Sequence, residues 1–370
     1  MFFSTRLPNV FRILLSALLL AVFIFVCMNF NALIRLSTYN AGSPSTDNST
    51  LFFAEFGWNE DLIYEVSSLE PNNKKIIHTV EHSPGFGLNP AINTHKGKIA
   101  YVVLSKDTIP SRQSSAELWI FNTHTQESVR LARDADISAS PVLRNDGHSI
   151  IYRSSENIDG SSIVEVNLDT RVRKKIHTDS DSFGIIPVGF NQNNEILFAR
   201  FDYKGTDLIK INHQQELSIL FHASDEIARD WRIDPSGQNI AFLAPEFLGE
   251  KIVHRAQLMS LDGNKVNNKI MEGVSEQYAP AWRQDGALAV GTSMAPIVID
   301  NHNSLILMPP EEGFDVPLGW SADGNYLAVR HFDGIDSYTP GSDSLVLIKQ
   351  NKRMTIHNHG ELIFLGWNSV

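Results

Sequence analysis

One phrase returns six times along this chain of 370 residues, and it restricts the fold more than any other feature. It opens with a small residue or Pro and a short apolar stretch, passes through a polar turn with Gly or Asn, and closes in an apolar strand. The copies are NPAINTHKGKIAYVV from Asn89, SPVLRNDGHSIIYRS from Ser140, IPVGFNQNNEILFAR from Ile186, RDWRIDPSGQNIAFLA from Arg229, APAWRQDGALAVGT from Ala279 and VPLGWSADGNYLAVRH from Val316. The aligned turn positions Gly97, Gly147, Asn193, Gly237, Gly286 and Gly324 lie 50, 46, 44, 49 and 38 residues apart. A period of this size marks a stacked array of one small unit.

The phrase dictates its own local geometry. Asp-Gly and Asn-Asp-Gly favour positive φ and tight hairpins, so they join a first strand to a second. Unbroken apolar runs such as Ile150-Ile151-Tyr152 and Ile240-Ala241-Phe242 suit strands covered on both faces. Third strands follow at Glu117 to Phe121 and Ile163 to Asn167, and fourth strands at Lys74 to Thr79 and Lys174 to Thr178. Lysines on an outermost strand discourage edge-to-edge aggregation. No segment after residue 50 keeps a helical period. The class is all-β, and the spacing fits the roughly 40–50 residues of a four-stranded propeller blade.

Six complete units run from Asn89 to His357. Before them, Leu51 to Thr79 supplies three strands without an opening phrase. At the far end, Leu362 to Trp367 repeats the Leu-Gly-Trp of residues 318–320 and has no strands after it. The two pieces make one blade, so the expected domain is a seven-bladed β-propeller over residues 51–370. Leu365, Gly366 and Trp367 would close the ring, which removes two open sheet edges.

Asp234-Pro235-Ser236-Gly237-Gln238-Asn239-Ile240-Ala241-Phe242, Gln284-Asp285-Gly286 and Ala322-Asp323-Gly324 resemble the signature of TolB-like propeller repeats, roughly S-P-D-G-x-x-I-A-F. Such repeats also occur in tricorn protease and in dipeptidyl-peptidase-type propellers. The resemblance spans residues 51–370 and implies an architecture, not an activity. The Trp-Asp pair of true Trp-Asp repeats is absent, and Asp230-Trp231 runs in the reverse order; Gly-His occurs once, at Gly147-His148.

Ahead of the repeats, Ile13 to Met28 is broken only by Ser16, and the apolar character reaches Ile34. That span approaches the roughly 20 residues of a membrane-crossing helix. Arg6 and Arg12 precede it and no acidic residue does, so the positive-inside bias sets residues 1–12 in the cytoplasm. Residues 13–34 are expected as an uncleaved signal anchor and residues 35–50 as a Ser/Asn/Thr-rich linker. The propeller would then stand outside a cytoplasmic membrane, as a single-pass protein, or be secreted if the segment were cut. Cys27, the only cysteine, lies inside this span, so the exported part can form no disulfide. Beyond the three N-terminal arginines the chain carries 28 basic and 42 acidic residues, a balance of −14. This disfavours nucleic acid and anionic lipid as partners.

Chemistry-bearing motifs are sparse. Gly291-Thr292-Ser293-Met294-Ala295 is one residue away from a nucleophile elbow, but an elbow must join a strand to a helix and this stretch joins two strands. His357 and His359 would share a strand face, yet a metal site needs further ligands. The acidic pairs Asp179/Asp181 and Asp333/Asp336 lack the Gly and Glu of a calcium loop. Trp231, Trp282, Trp320 and Trp367 all sit in opening strands and read as packing between blades, with a carbohydrate platform as the alternative. No cofactor is expected. Loops on a rigid scaffold concentrate binding residues, so the candidates for ligand contact are those just before the opening phrases: Asn89, Ser138, Phe183, Arg229, Asp230, Gln277, Tyr278 and Asp315. The expected function is a non-catalytic binding or scaffold module of the cell envelope with a protein or peptide partner. The alternative is a propeller-type lyase or hydrolase of polysaccharides with a channel-lining site.

Overall fold

The computed structural model describes residues 49–111, 114–155, 160–262, 276–300, 303–358 and 360–368. The expected anchor, its cytoplasmic flank and all but the end of the linker lie outside these residues. Among the described residues no helix is long and apolar enough to cross a membrane.

All regular elements among the described residues are strands. They run β1 (Thr50–Glu55), β2 (Glu60–Ser67) and β3 (Lys74–Glu81), then β4 (Asn89–Pro90), β5 (Lys98–Val103), β6 (Ala116–Asn122) and β7 (Glu127–Ala135). Next come β8 (Val142–Leu143), β9 (Ser149–Ser154), β10 (Ser161–Asn167) and β11 (Arg173–Asp179), followed by β12 (Gly184–Phe190), β13 (Ile196–Asp202), β14 (Gly205–Ile211) and β15 (Leu217–Ser224). After β16 (Arg229–Ile233), β17 (Asn239–Leu248) and β18 (Lys251–Ser260) stand β19 (Gln277–Trp282), β20 (Leu288–Thr292), β21 (Ile297–Asp300) and β22 (Asn303–Ile306). The chain closes with β23 (Phe314–Trp320), β24 (Leu327–Phe332), β25 (Asp343–Lys349), β26 (Lys352–Asn358) and β27 (Leu362–Trp367).

Within each group the strands pair antiparallel in sequence order. The groups β4–β7 and β8–β11 merge into one sheet through a single pairing, Ala135 with Ser154. In the first sheet the order is β27-β1-β2-β3, so the two ends of the repeat region share a sheet. Leu51 faces Trp367 and Glu55 faces Leu362, with a bulge at Phe52/Phe53. Asn368 N donates to Thr50 O (2.8 Å) and Phe56 N to Glu361 O (2.9 Å), fixing both ends of the seam.

The second strands are buried on both faces, which explains why they read as unbroken apolar runs. Phe52 and Leu365 pack toward Ile99 and Tyr101, while Leu51, Phe53 and Trp367 pack toward Tyr326 and Leu347. The innermost strands touch in order: β27 meets β4, β8 meets β12, β12 meets β16, β16 meets β19, β19 meets β23 and β23 meets β27. Beside β4 and β8, Ile92 N donates to Pro141 O (3.0 Å).

The tryptophans tie this cycle together. Trp282 Nε1 donates to Arg232 O (2.9 Å), Trp320 Nε1 to Ala281 O (3.2 Å) and Trp367 Nε1 to Gly319 O (3.0 Å). Each acceptor stands one residue before the matching position of the preceding unit, so each indole, Trp367 buried and Trp282 and Trp320 half-buried, has its donor satisfied. Trp231 instead donates to Ala228 O (3.3 Å) in its own unit and stacks on Phe242. The four indoles are inter-strand and inter-unit packing, and none is among the exposed large side chains.

The repeated Asp and Gly hold the hairpin turns. Asp234 Oδ1 accepts from Gln238 N (2.9 Å) and Asn239 N (3.1 Å), while Oδ2 accepts from Ser236 Oγ (2.8 Å). Gly237 follows at φ +69°, and a Cβ there would come within 2.4 Å of Gln192 N in the neighbouring unit. Backbone conformation and close approach both demand glycine at this position.

Candidate functional site

The connections fall on two rims. One, the turn rim, carries the joints between first and second strands and between third and fourth. The other, the loop rim, carries the joints between second and third strands and the passages from one unit to the next. Ser49 and Asn368 lie at the turn rim, where Ser68 N donates to Ser49 O (2.9 Å).

Exposed large apolar side chains separate between these rims. Trp58, Ile109, Phe183, Tyr203, Ile227 and Met294 stand in loop-rim connections, with Phe183 78% and Tyr203 79% accessible. Ile335 and Tyr338 stand there too, as do Phe247 and Leu248 at the tip of the β17–β18 hairpin. Among the described turn-rim connections only Leu69 and Val172 are of this kind. Large apolar side chains gathered on one rim point to an interaction face there.

The residues expected to touch a ligand are divided by the structure. Phe183, Ser138 and Arg229 reach the surface of the loop rim. Asn89 is a clamp: its Nδ2 donates to Ile137 O (2.8 Å) and its Oδ1 accepts from Ser140 Oγ (2.7 Å). Gln277 is buried and accepts from Ala256 N (2.6 Å). Tyr278 is buried against Phe314 and donates to Glu276 Oε2 (3.3 Å); burial and then that carboxylate push its pKa up. Asp230 takes φ +57° at an irregularity in β16, a conformation uncommon outside glycine. Asp315 is fully buried, accepting from Arg353 Nη1 (2.7 Å) and Nη2 (2.8 Å) with His331 Nδ1 3.0 Å away.

Carboxylates under the loop rim act as struts. Asp61 Oδ2 accepts from Leu88 N (2.6 Å), and its Oδ1 lies 3.1 Å from Nε2 of the fully enclosed His82. His82 Nδ1 meets Ser83 O (2.9 Å) and the ring stacks on Phe56, so one buried pair joins the 56–59 and 82–88 loops. Asp136 accepts from Ser138 N and from Arg153 Nε (both 2.9 Å), and these contacts outweigh burial and hold its carboxyl below the ordinary range.

The sequence's other chemical candidates resolve into turns and packing. Thr292 Oγ1 donates to Ala295 O (2.7 Å) between β20 and β21, a strand-to-strand turn with no helix to expose Ser293 as a nucleophile. Asp179 Oδ1 caps Asp181 N and Ser182 N, and Asp336 Oδ1 caps Tyr338 N and Thr339 N. His357 accepts from Lys74 Nζ (2.8 Å at Nδ1) and packs on Phe53; His359 lies outside the described residues. Among the described residues no three His, Cys, Asp or Glu side chains converge as a metal site.

His222, on β15 near the loop rim, sits 2.9 Å from Asp207 Oδ1 of β14 and 3.1 Å from Asp225 Oδ1, while Arg200 Nη2 also donates to Asp207 (2.7 Å). The Asp207 hydrogen bond is the main cause raising its pKa above the ordinary imidazole value. A raised folded-state pKa contributes stability that is full below the unfolded value and lost as pH rises through the folded one. The melting-temperature gap between wild type and His222→Gln should therefore be widest at acidic pH and narrow toward alkaline pH. A gap that widens with pH would contradict the assignment.

No family model and no curated protein matches the chain. Solved structures do. The chain is similar to TolB from Acinetobacter baumannii at 13% identity, over 89% of this chain and 68% of that one, with a TM-score of 0.54. The fold is a TolB-like β-propeller. A similar match is oligogalacturonate lyase from Vibrio parahaemolyticus, 14% identical over 84% and 85% of the two chains, TM-score 0.52. Another is the β-propeller domain of the Trilobed protease from Pyrococcus furiosus, 10% identical over 85% and 93%, TM-score 0.52. That domain has an open velcro topology, whereas here β27 pairs with β1. At such identities the likeness concerns the propeller fold and not what it does.

Proposed function

We propose that this propeller has seven blades and is a non-catalytic binding module, taking a protein or peptide partner of the cell envelope on its loop rim. The observation that carries the reading is the confinement of exposed loop-borne Trp, Phe, Tyr, Ile and Met to that rim, over a base of buried struts. The seven-blade count is supported by the order in which the innermost strands meet. In the same reading residues 13–34 anchor the chain in the cytoplasmic membrane with the N-terminus inside.

The test is purification of the full-length protein from membranes of its own cell. A partner should be recovered with wild type and with the turn-rim variant Val172→Ser, and lost from Phe183→Ser combined with Ile227→Ser. Equal recovery from all three would sink the reading. A stoichiometric transition metal in the same material, with cleavage of an acidic polysaccharide, would replace it by the lyase alternative. A mature N-terminus near Asn40 would overturn the anchor.

A further inference from the structure

One sector of the loop rim is built from three blades. The β17–β18 hairpin is ten residues long in each strand and ends in the exposed Phe247, Leu248 and Ile252. Residues 333–342, which join β24 to β25, reach across the intervening blade: Tyr338 OH donates to Ile252 O (3.0 Å) and Ser337 Oγ to Glu276 Oε1 (2.8 Å). The loop is held in shape by its own carboxylates, Asp333 Oδ1 accepting from Ser342 N (2.7 Å) and Asp336 Oδ1 from Thr339 Oγ1 (2.9 Å). Ile335 at 84% and Tyr338 at 70% accessibility face outward, and Met294 of the blade between is 72% accessible.

The charge on this arch is predominantly negative. Glu246, Glu250, Glu276, Asp333 and Asp336 stand against Lys251 and Arg255, and Arg255 Nε is already engaged by Glu246 Oε2 (3.0 Å). Hydrogen bonds from Thr339, helped by nearby Lys251, lower the Asp336 pKa, while Glu276 and Asp333 accept from hydroxyl and amide donors, which do not offset their charge. An apolar surface beside an excess of carboxylates repels anionic lipid, and a second copy of so acidic a chain would bring like charge against like. Cationic groups beside aliphatic or aromatic side chains satisfy both features.

We propose that this arch docks a cationic, apolar segment of a partner protein, one carrying Lys or Arg beside large hydrophobic residues. The proposal rests on the loop-rim reading and narrows it to one sector and one chemistry.

The probe is a labelled amphipathic peptide of Lys and Leu, titrated into the full-length protein by fluorescence anisotropy, with a Glu-for-Lys copy as control. The Lys peptide should bind, weaken with added salt, and lose about tenfold or more in affinity to Glu250→Lys combined with Ile335→Ser. Both positions are exposed, and Glu127→Lys on the outer strand β7 should leave binding unchanged. Equal binding by the Glu copy, or by all variants, overturns the proposal. So does a concentration-dependent dimer that Glu250→Lys with Ile335→Ser abolishes, which would assign the arch to a second copy. Binding of anionic vesicles lost in the same variant would assign it to lipid instead. If membrane capture of a partner is lost with Phe183→Ser and Ile227→Ser but kept with Glu250→Lys and Ile335→Ser, the loop rim stands and the arch falls. If neither pair of changes affects capture, the broader reading falls as well.

Discussion

A chain lacking residues 362–370 is expected to melt without cooperativity, or at least about 10 °C below the intact protein. The truncation removes Leu362, Leu365 and Trp367, each at most 7% accessible, from cores on both faces of the first sheet. Truncating one such side chain to Ala costs about 2–5 kcal/mol, and the losses here fall together. The cut also strips β1 of its inner partner and leaves β4 and β23 without the strand between them. An open apolar edge of this kind invites pairing with other chains, so aggregation on heating should accompany the loss. Trp367→Phe is the finer probe, because it keeps most of the ring and removes the donor to Gly319 O. It should lower stability by about 1 kcal/mol or somewhat more, the cost of an unsatisfied buried acceptor. An unchanged melting temperature in the truncation would show that β27 does not hold the ring together.

Asp315→Ala should cost about 3–5 kcal/mol, because it leaves Arg353 beside His331 with no carboxylate between them. The Asp315 side chain is fully buried and those of Arg353 and His331 are 16% and 19% accessible, so water replaces little of what is lost. Arg353 Nη1 also donates to Met308 O (3.2 Å), so the loop after β22 should loosen at the same time. Replacing Asp315 by Leu together with Arg353 by Met should recover much of the loss, since removing both members of a buried pair is far milder than removing one. Urea unfolding of the single and double variants gives the coupling directly. Additive single losses below about 1 kcal/mol would refute the strut.

Asp315 also shows where residue-level reading runs out. Its place just before an opening phrase marked it as a ligand-facing residue. What turned it inward was Arg353, a residue 38 positions away whose guanidinium arrives only when β26 pairs with β25. Gln277 was drawn in the same way by the amide of Ala256. Phe183 sits at the same kind of position and stays exposed, because among the described residues no such partner reaches into the 180–183 connection from a neighbouring blade.

The arch over the loop rim was equally invisible in the sequence. In the sequence only the acidic pair Asp333/Asp336 stood out, without the Gly and Glu of a calcium loop, and nothing set the Phe247 to Ile252 stretch apart. Their meeting depends on which blade stands between them, a fact of ring order. The only local hint was the unusual length of β17 and β18.

The sequence by itself determined the all-β class, the strand positions, the turn chemistry and the missing strand that the C-terminal Leu-Gly-Trp supplies. These follow from short-range rules: positive φ at Gly after Asp, strand-length apolar runs, and a period that repeats one small unit. Tertiary structure alone decided which loop residues are struts and which stay exposed, and that most of the exposed apolar ones share one rim. Those outcomes depend on side chains brought together across blades, through contacts that no period or propensity encodes.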